Sequence, residues 1–227
     1  KAGNYAVSVS NLPVRVNISK ATPTPPAVSF SPMSYDPTRV LSSLSLPAGV
    51  TWDSPSTVPT VSVTSYPATF TPADTVNYNI VNFNIPITIT KAPVVIKADN
   101  KPTTYGQAAP AFTYTFSGFI GPDIENPPPR TGNITASTDY DRDDPAKRGV
   151  GTYQIILSGN PMSDNYAYTF ESGILTVNKA TVNVTAENKS VVYGSAAPQY
   201  TFTYNAANFF YGDTPASSVN TSGVTFN

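Results

Sequence analysis

The stretch Lys91-Ala-Pro-Val-Val-Ile-Lys-Ala-Asp-Asn-Lys101 returns along the chain as Lys179-Ala-Thr-Val-Asn-Val-Thr-Ala-Glu-Asn-Lys189. The offset, 179 − 91 = 88 residues, holds without a gap from Tyr105-Gly106 to Tyr193-Gly194 and from Ala108-Ala-Pro110 to Ala196-Ala-Pro198. It also relates the aromatic segments 112–116 and 200–204. Self-similarity at a fixed spacing constrains the fold more than any local signal, because each copy must be one structural unit with its own plan. Unit ends recur too: Asn4-Tyr5 precedes Lys20-Ala21, Asn77-Tyr78 precedes Lys91-Ala92, and Asn165-Tyr166 precedes Lys179-Ala180. The last two spacings are equal (91 − 77 = 14 and 179 − 165 = 14). These edges predict C-terminal strands of a preceding module at 1–20, complete β modules at 21–91 and 92–179, and a partial module at 180–227. The chain therefore reads as a slice of a longer one, unless its two partial ends complete each other.

Within each unit the dominant pattern is alternation. Val94, Ile96 and Ala98 alternate with Val95 and Lys97; Phe112, Tyr114 and Phe116 alternate with Thr113 and Thr115. The same holds for Tyr166, Tyr168 and Phe170, and for Leu175 and Val177. A period of two with one apolar and one polar, Thr-rich face predicts strands covered on one side. Turn residues separate them: Gly106, Pro110, Gly118, Gly121-Pro122, Gly132-Asn133 and Gly159-Asn160-Pro161. No segment carries a helical period; Thr71-Pro72-Ala73-Asp74 allows one helical turn at most. The chain is expected to be all-β, with each module a small β-sandwich. A β-grasp-like sheet is the runner-up and would need one helix per module.

The phase of the alternation changes at each Lys-Ala. Ile85, Ile87 and Ile89, like Leu175 and Val177, are odd-numbered; Val94 and Ile96, like Val182 and Val184, are even-numbered. A one-residue phase change swaps the buried face of a strand. With almost no linker between strands of opposite facing, the modules are expected to form a stiff, extended array.

Composition removes whole classes of function. The 227 residues contain no Cys and no His, which excludes thiol chemistry, disulfides, Cys/His zinc sites and His-based catalysis. A net charge of −1 offers no basic footprint for nucleic acid. No apolar run is long enough to span a membrane as a helix, and the first residues carry no signal-peptide core. Only 12% of residues are charged, yet 11% are aromatic, and disordered chains lack such aromatic content.

The third and fourth units share Lys-Ala…Ala-[Asp/Glu]-Asn-Lys…Tyr-Gly…Ala-Ala-Pro. In the third these are followed by Gly151-Thr-Tyr-Gln-Ile155, Asn165-Tyr166 and Gly173-Ile-Leu-Thr-Val177. This pattern resembles the bacterial MBG repeats of the Tyr-Gly type. The second unit, with Leu46-Pro-Ala-Gly-Val-Thr-Trp52 and Ala68-Thr-Phe-Thr-Pro-Ala-Asp-Thr-Val-Asn-Tyr78, resembles a related repeat of the same proteins, although Tyr35-Asp36 stands where Tyr-Gly is expected. The resemblance implies tandem immunoglobulin-like β-sandwich modules in a large secreted adhesin on the bacterial cell surface. Asp74-Thr-Val-Asn-Tyr78 is similar to the tyrosine corner of such folds, where a Tyr hydroxyl bonds to backbone a few residues upstream, and Asp164-Asn-Tyr166 is a weaker version.

Candidate sites are few. Asp139, Asp141, Asp143 and Asp144 space carboxylates like the start of a calcium loop, but Asp144 replaces the turn Gly, Val150 replaces the closing Glu, and Arg142, Lys147 and Arg148 lie among them. A solvated loop is the expected reading, with no metal and no cofactor. Trp52, Tyr105 and Tyr193 are expected to pack in cores rather than to stack on sugar. A Lys97–Asn178 isopeptide bond is conceivable if paired strands bring the two together. The sequons at Asn17, Asn133, Asn183, Asn188 and Asn220 are those expected by chance in an Asn- and Thr-rich chain. With Glu125, Glu171 and Glu187 as the only glutamates, no catalytic pair is placed, and no enzyme is expected. The expected role is a stalk or spacer whose partners are neighbouring modules of the same long chain. The alternative is a module that binds a glycan or a host protein on an exposed sheet face.

Overall fold

The computed structural model describes residues 16–205, 207 and 209–214, so most of the strands expected at 1–20 lie outside the described residues. The chain divides after Thr90 into two compact units, Lys1–Thr90 and Lys91–Asn227.

The first unit contains strands β1 (Met33–Ser34), β2 (Val50–Trp52), β3 (Ser65–Phe70), β4 (Val81–Pro86) and β5 (Ile89–Thr90). β2, β3 and β4 form an antiparallel sheet, and β1 pairs in parallel with β5. The odd-numbered isoleucines Ile85, Ile87 and Ile89 are all buried, with Leu41, Trp52, Tyr66 and Ala68. One apolar stripe thus runs from β4 into β5, as the alternation requires.

The second unit holds β6 (Ala92–Ala98), β7 (Lys101–Thr104), β8 (Tyr114–Ser117), β9 (Ile134–Thr138), β10 (Gly151–Gly159), β11 (Tyr166–Glu171), β12 (Gly173–Asn178), β13 (Val184–Ala186) and β14 (Phe202–Tyr204). β11, β6 and β8 make a 3-stranded sheet; β7, β12, β10 and β9 make a 4-stranded one. Their inner faces close on Ile96 and Ala98 from one side and Ile155, Leu157, Leu175 and Val177 from the other, with Tyr114, Phe116 and Tyr168 filling in. This is a two-layer β-sandwich, the packing that sheets with one apolar face must adopt. Both sheets are mixed: β11 runs parallel to β6, and β12 parallel to β7, so the last strands of the module bind its first.

The fourth repeat, residues 180–227 of this same compact unit, follows the start of this plan. β13 pairs with β14 as β6 pairs with β8: Val184 faces Tyr204 as Ile96 faces Phe116, and Ala186 faces Phe202 as Ala98 faces Tyr114. Burial differs. Ile96 is 0% exposed and Val184 41%, because β6 lies under a second sheet and β13 has none over it among the described residues. The described residues contain no α-helix, only 3-10 turns such as Leu41–Ser43 and Gly121–Ile124, which sets the β-grasp alternative aside. The turn foreseen near Asp74 is a single one, closed by Tyr78 N–H donating to the Asp74 carbonyl at 3.2 Å.

Candidate functional site at the repeat motifs

The Lys-Ala and Asn-Tyr pairs that mark the unit edges meet in space. Ala92 N–H donates to the Asn165 carbonyl at 2.9 Å, and the Lys91 ammonium donates to the Ser163 carbonyl at 2.7 Å. In the first unit Ala21 N–H donates to the Asn77 carbonyl at 2.9 Å, and Lys20 Nζ to the Thr75 carbonyl at 2.7 Å. Both lysines thus reach the residue two before the Asn, and both alanines bridge in parallel to the residue after it: Ala92 to Tyr166 and Ala21 to Tyr78. The motif is a clasp that ties the start of a unit to the Asn-Tyr segment ahead of its closing strands. Charge-assisted bonds from a lysine to a carbonyl are stronger than neutral ones. They anchor a parallel pairing that no short turn can enforce.

The Tyr-Gly motif builds a second recurrent structure. Gln107 N–H donates to the Thr104 carbonyl at 2.9 Å, closing a turn with Tyr105 and Gly106 at its centre. Gly106 has φ +85°, which a turn of this kind reserves for glycine. Eighty-eight residues on (193 − 105 = 88), Ser195 N–H donates to the Val192 carbonyl at 3.0 Å, and Gly194 has φ +86°. Tyr105 leans on the sandwich core, and its hydroxyl donates to Asp213 Oδ2 at 2.9 Å. Phe210 and Tyr211 meet its ring edge-on, with centroids 6.2 and 5.7 Å away. The Arg148 guanidinium lies 3.9 Å over the Tyr211 ring, within cation–π range. Burial first, and then the Asp213 carboxylate, push the Tyr105 phenol above its ordinary value of 10.0. Beside it lies a cavity of about 300 Å³ lined by Tyr105, Val150, Lys179, Val182 and Phe209.

The carboxylates at Asp139, Asp141, Asp143 and Asp144 do not converge. Asp141 Oδ1 accepts the Asp143 N–H and Asp144 Oδ1 the Ala146 N–H, both at 2.9 Å. Arg142 pairs with Asp143 and Lys147 with Asp144, each at 3.5 Å. Among the described residues no group of three or more acidic side chains could hold a metal ion. The loop is positioned by buried Tyr140, whose hydroxyl donates to the Gln107 carbonyl at 2.6 Å.

Trp52 is buried, stacked 6.3 Å from Phe30, as expected of a core residue. Tyr193 differs from the expectation: it is fully exposed, because no opposing sheet covers β13–β14 among the described residues. The tyrosine corner also falls elsewhere. Tyr78 is 42% exposed, and its motif serves the turn instead: Asp74 Oδ1 accepts the N–H groups of Val76 and Asn77. The Asn77 side-chain amide first, and then its backbone N–H, hold the Asp74 carboxyl below its ordinary range. Tyr166 is buried and donates to Asp123 rather than to upstream backbone. The corner geometry belongs to Tyr66, which accepts the Thr60 N–H at 2.9 Å, and to Tyr153, which donates to the Gly149 carbonyl at 2.9 Å. Lys97 is not brought to Asn178. It pairs with Glu171 across the 3-stranded sheet, while Asn178 Nδ2 donates to the Thr103 carbonyl in the 4-stranded one. The sequon residues Asn17, Asn133, Asn183 and Asn188 are exposed, and Asn220 lies outside the described residues.

Sequence reasoning found the recurring letters and missed their partners: the carbonyls of Thr75 and Ser163, Arg148, and the turn from Phe209 to Asp213. The equal spacing of Asn-Tyr and Lys-Ala was the one available signal for the first two.

No curated protein and no solved structure matches the chain. The family model of the MBG domain (YGX type) matches residues 94–176, which run from β6 to β12 and include the Tyr105-Gly106 turn. MBG domains are repeat domains of surface-associated proteins. Residues 94–176 are thus similar to the MBG domain of the YGX type, and the match spans less than half of the chain.

Proposed function

We propose that the chain is a run of structural spacer modules from a large surface adhesin, exported to the cell exterior, which holds a binding tip away from the cell. The observation that carries this reading is where the aromatics point. Tyr66, Tyr140 and Tyr166 are buried, and Tyr105, Tyr114, Tyr153 and Tyr168 pack on the core. These seven rings are thus spent on holding the sheets together, while Tyr78, Tyr193 and Tyr200 remain exposed. The outer face of β10 and β12 carries Thr152, Gln154, Ser158 and Thr176 around Ile156 and Ile174, without an aromatic platform. A module with few charges and no thiol suits exposure to varying salt and oxidant. Its partners in this reading are further modules of the same protein, and it performs no catalysis.

The test is a binding screen of the full chain against glycans and extracellular matrix proteins, run beside small-angle scattering. A spacer array gives no saturable binding and a radius of gyration above about 17 Å, the value for a compact globule of this length. Saturable binding would favour the reading in which the repeats hold a glycan or protein themselves; a compact particle would remove the array.

A further inference from the structure

The turn at Phe209–Asp213 is shaped around the preceding repeat. Asp213 N–H donates to the Phe210 carbonyl at 2.9 Å, and both central residues lie at positive φ, Tyr211 at +59° and Gly212 at +81°. That is the pattern of a type I′ turn, which strongly favours Gly, Asn or Asp at both centres. A bulky ring held there is an outlier, and such strain persists only where surrounding contacts fix it. Here the contacts are the Tyr105 ring, the Arg148 guanidinium and the bond from the Tyr105 hydroxyl to Asp213. Gly106 completes the fit. A Cβ there would stand 2.3 Å from Phe210 Cγ, so the Phe210 ring occupies the space that a side chain would take.

The chain carries this receptacle twice. At Tyr193-Gly194 the turn has the same closing hydrogen bond and the same glycine φ, but nothing lies within 4 Å of a Cβ built on Gly194. Tyr193 is fully exposed there, beside exposed Val191 and Val192. The open turn is thus flanked by three consecutive exposed apolar side chains.

We propose that the Tyr-Gly turn is a socket by which one repeat takes up the next. Tyr105-Gly106 holds the Phe209–Asp213 turn, and Tyr193-Gly194 presents the same socket open to an equivalent aromatic-Gly-Asp turn of a further repeat copy. The glycine leaves room for a ring, the tyrosine ring gives an edge-on partner, and its hydroxyl selects a carboxylate. The chemistry that the open socket recognises is read directly from the occupied one. The inference concerns repeat-to-repeat docking and does not depend on where the protein resides or on what its tip binds.

Amide exchange on the full chain tests the occupied socket. Gly106→Ala and Gly194→Ala impose the same conformational strain, since both glycines sit at nearly equal positive φ, but only the first overlaps Phe210. Gly106→Ala should speed exchange at 209–214 by roughly tenfold or more, Gly194→Ala should leave it near wild type, and strands β10 and β12 should stay protected in both. Phe210→Ala should reproduce the Gly106→Ala result from the other side and guards against a folding defect at Gly106. Unprotected 209–214 in the wild type, or unchanged protection in both Gly106→Ala and Phe210→Ala, would overturn the assignment. A synthetic peptide of residues 205–214 probes the open socket by NMR. It should produce saturable shifts at Tyr193 and Gly194 in the wild-type chain, absent in Gly194→Ala and absent when the peptide carries Asp213→Ala. No shift at millimolar peptide, or shifts indifferent to both changes, would remove the open socket.

Discussion

A tyrosine hydroxyl in this protein is a structural device whose value depends on what it meets. Tyr66 accepts the Thr60 N–H in a partly buried setting, whereas Tyr78 is 42% exposed. Tyr66→Phe should therefore leave a donor unpaired and cost about 1–2 kcal/mol in denaturant unfolding. Tyr78→Phe should stay within about 0.5 kcal/mol. Equal effects would contradict the relocation of the tyrosine corner to Tyr66. At Tyr105 the same chemistry becomes dependent on pH. Its phenol is held above 10.0 by burial and by Asp213, so the neutral form is favoured in the folded state. The stability it adds is fully present below pH 10 and is lost as pH rises through the folded value, where the donor to Asp213 disappears and two anions face each other. The difference in melting temperature between wild type and Tyr105→Phe should be constant below that range and narrow above it. A difference that grows with alkali would refute the role given to the hydroxyl.

Among elements, close approach of backbone decides where the sandwich tolerates change. Gly173 opens β12 beside the end of β6, and a Cβ there would lie 2.6 Å from the Ala98 carbonyl oxygen and 3.0 Å from its Cβ. The neighbour is backbone, which cannot swing aside, so Gly173→Ala should destabilise the module by about 1–3 kcal/mol. An unchanged midpoint in a denaturant titration would mean that the two strands separate more readily than their packing implies. The Asp139–Asp144 loop makes the opposite case. Its carboxylates already serve its own amides and neighbouring cations. Millimolar calcium should shift the melting temperature by less than about one degree, since only a ligand that binds the native state raises it. A rise of several degrees, abolished by Asp141→Ala, would restore the metal reading. These elements also show what the sequence makes legible. Alternation located β6, β8, β11 and β12, because each buries one face and the side-chain period reports it. β7 and β9 escaped: Lys101–Thr104 and Ile134–Thr138 are short, rich in Thr, and only half-buried, so their pattern is weak. Parallel pairing of first and last strands was beyond reach as well, because pairing partners leave no mark in the period of either strand. The Asp74 motif was read as a corner because its letters match one, although its carboxylate acts locally on the turn.

At the scale of the whole molecule, the repeat divides the chain into parts with different claims to independence. Residues 92–179 hold both sheets of the sandwich and the clasp from Lys91-Ala92 to Ser163 and Asn165, apart from Lys91 itself. The opposed faces supply Ile96, Ile155, Leu175 and Val177 as a core closed on both sides. A fragment of 91–179 should therefore unfold cooperatively and remain monomeric, though a domain of this size stands near the lower limit for autonomous stability. Residues 180–227 contribute β13 and β14 alone among the described residues, a two-stranded sheet with Val184 exposed. Two strands without a covering layer do not make a stable fold in water, and open edges invite association. A fragment of 180–227 should accordingly be unfolded or self-associating by circular dichroism and sedimentation, yet its 209–214 amides should be protected in the full chain, where Tyr105 receives the turn. Adding the 91–179 fragment should order the 209–214 turn in the mixture, and the Gly106→Ala form of that fragment should not. If 180–227 were ordered alone, the module boundary would lie elsewhere and the repeat would be circularly shifted. If it stayed disordered even in the full chain, the Tyr105-Gly106 turn would not be receiving the 209–214 segment at all.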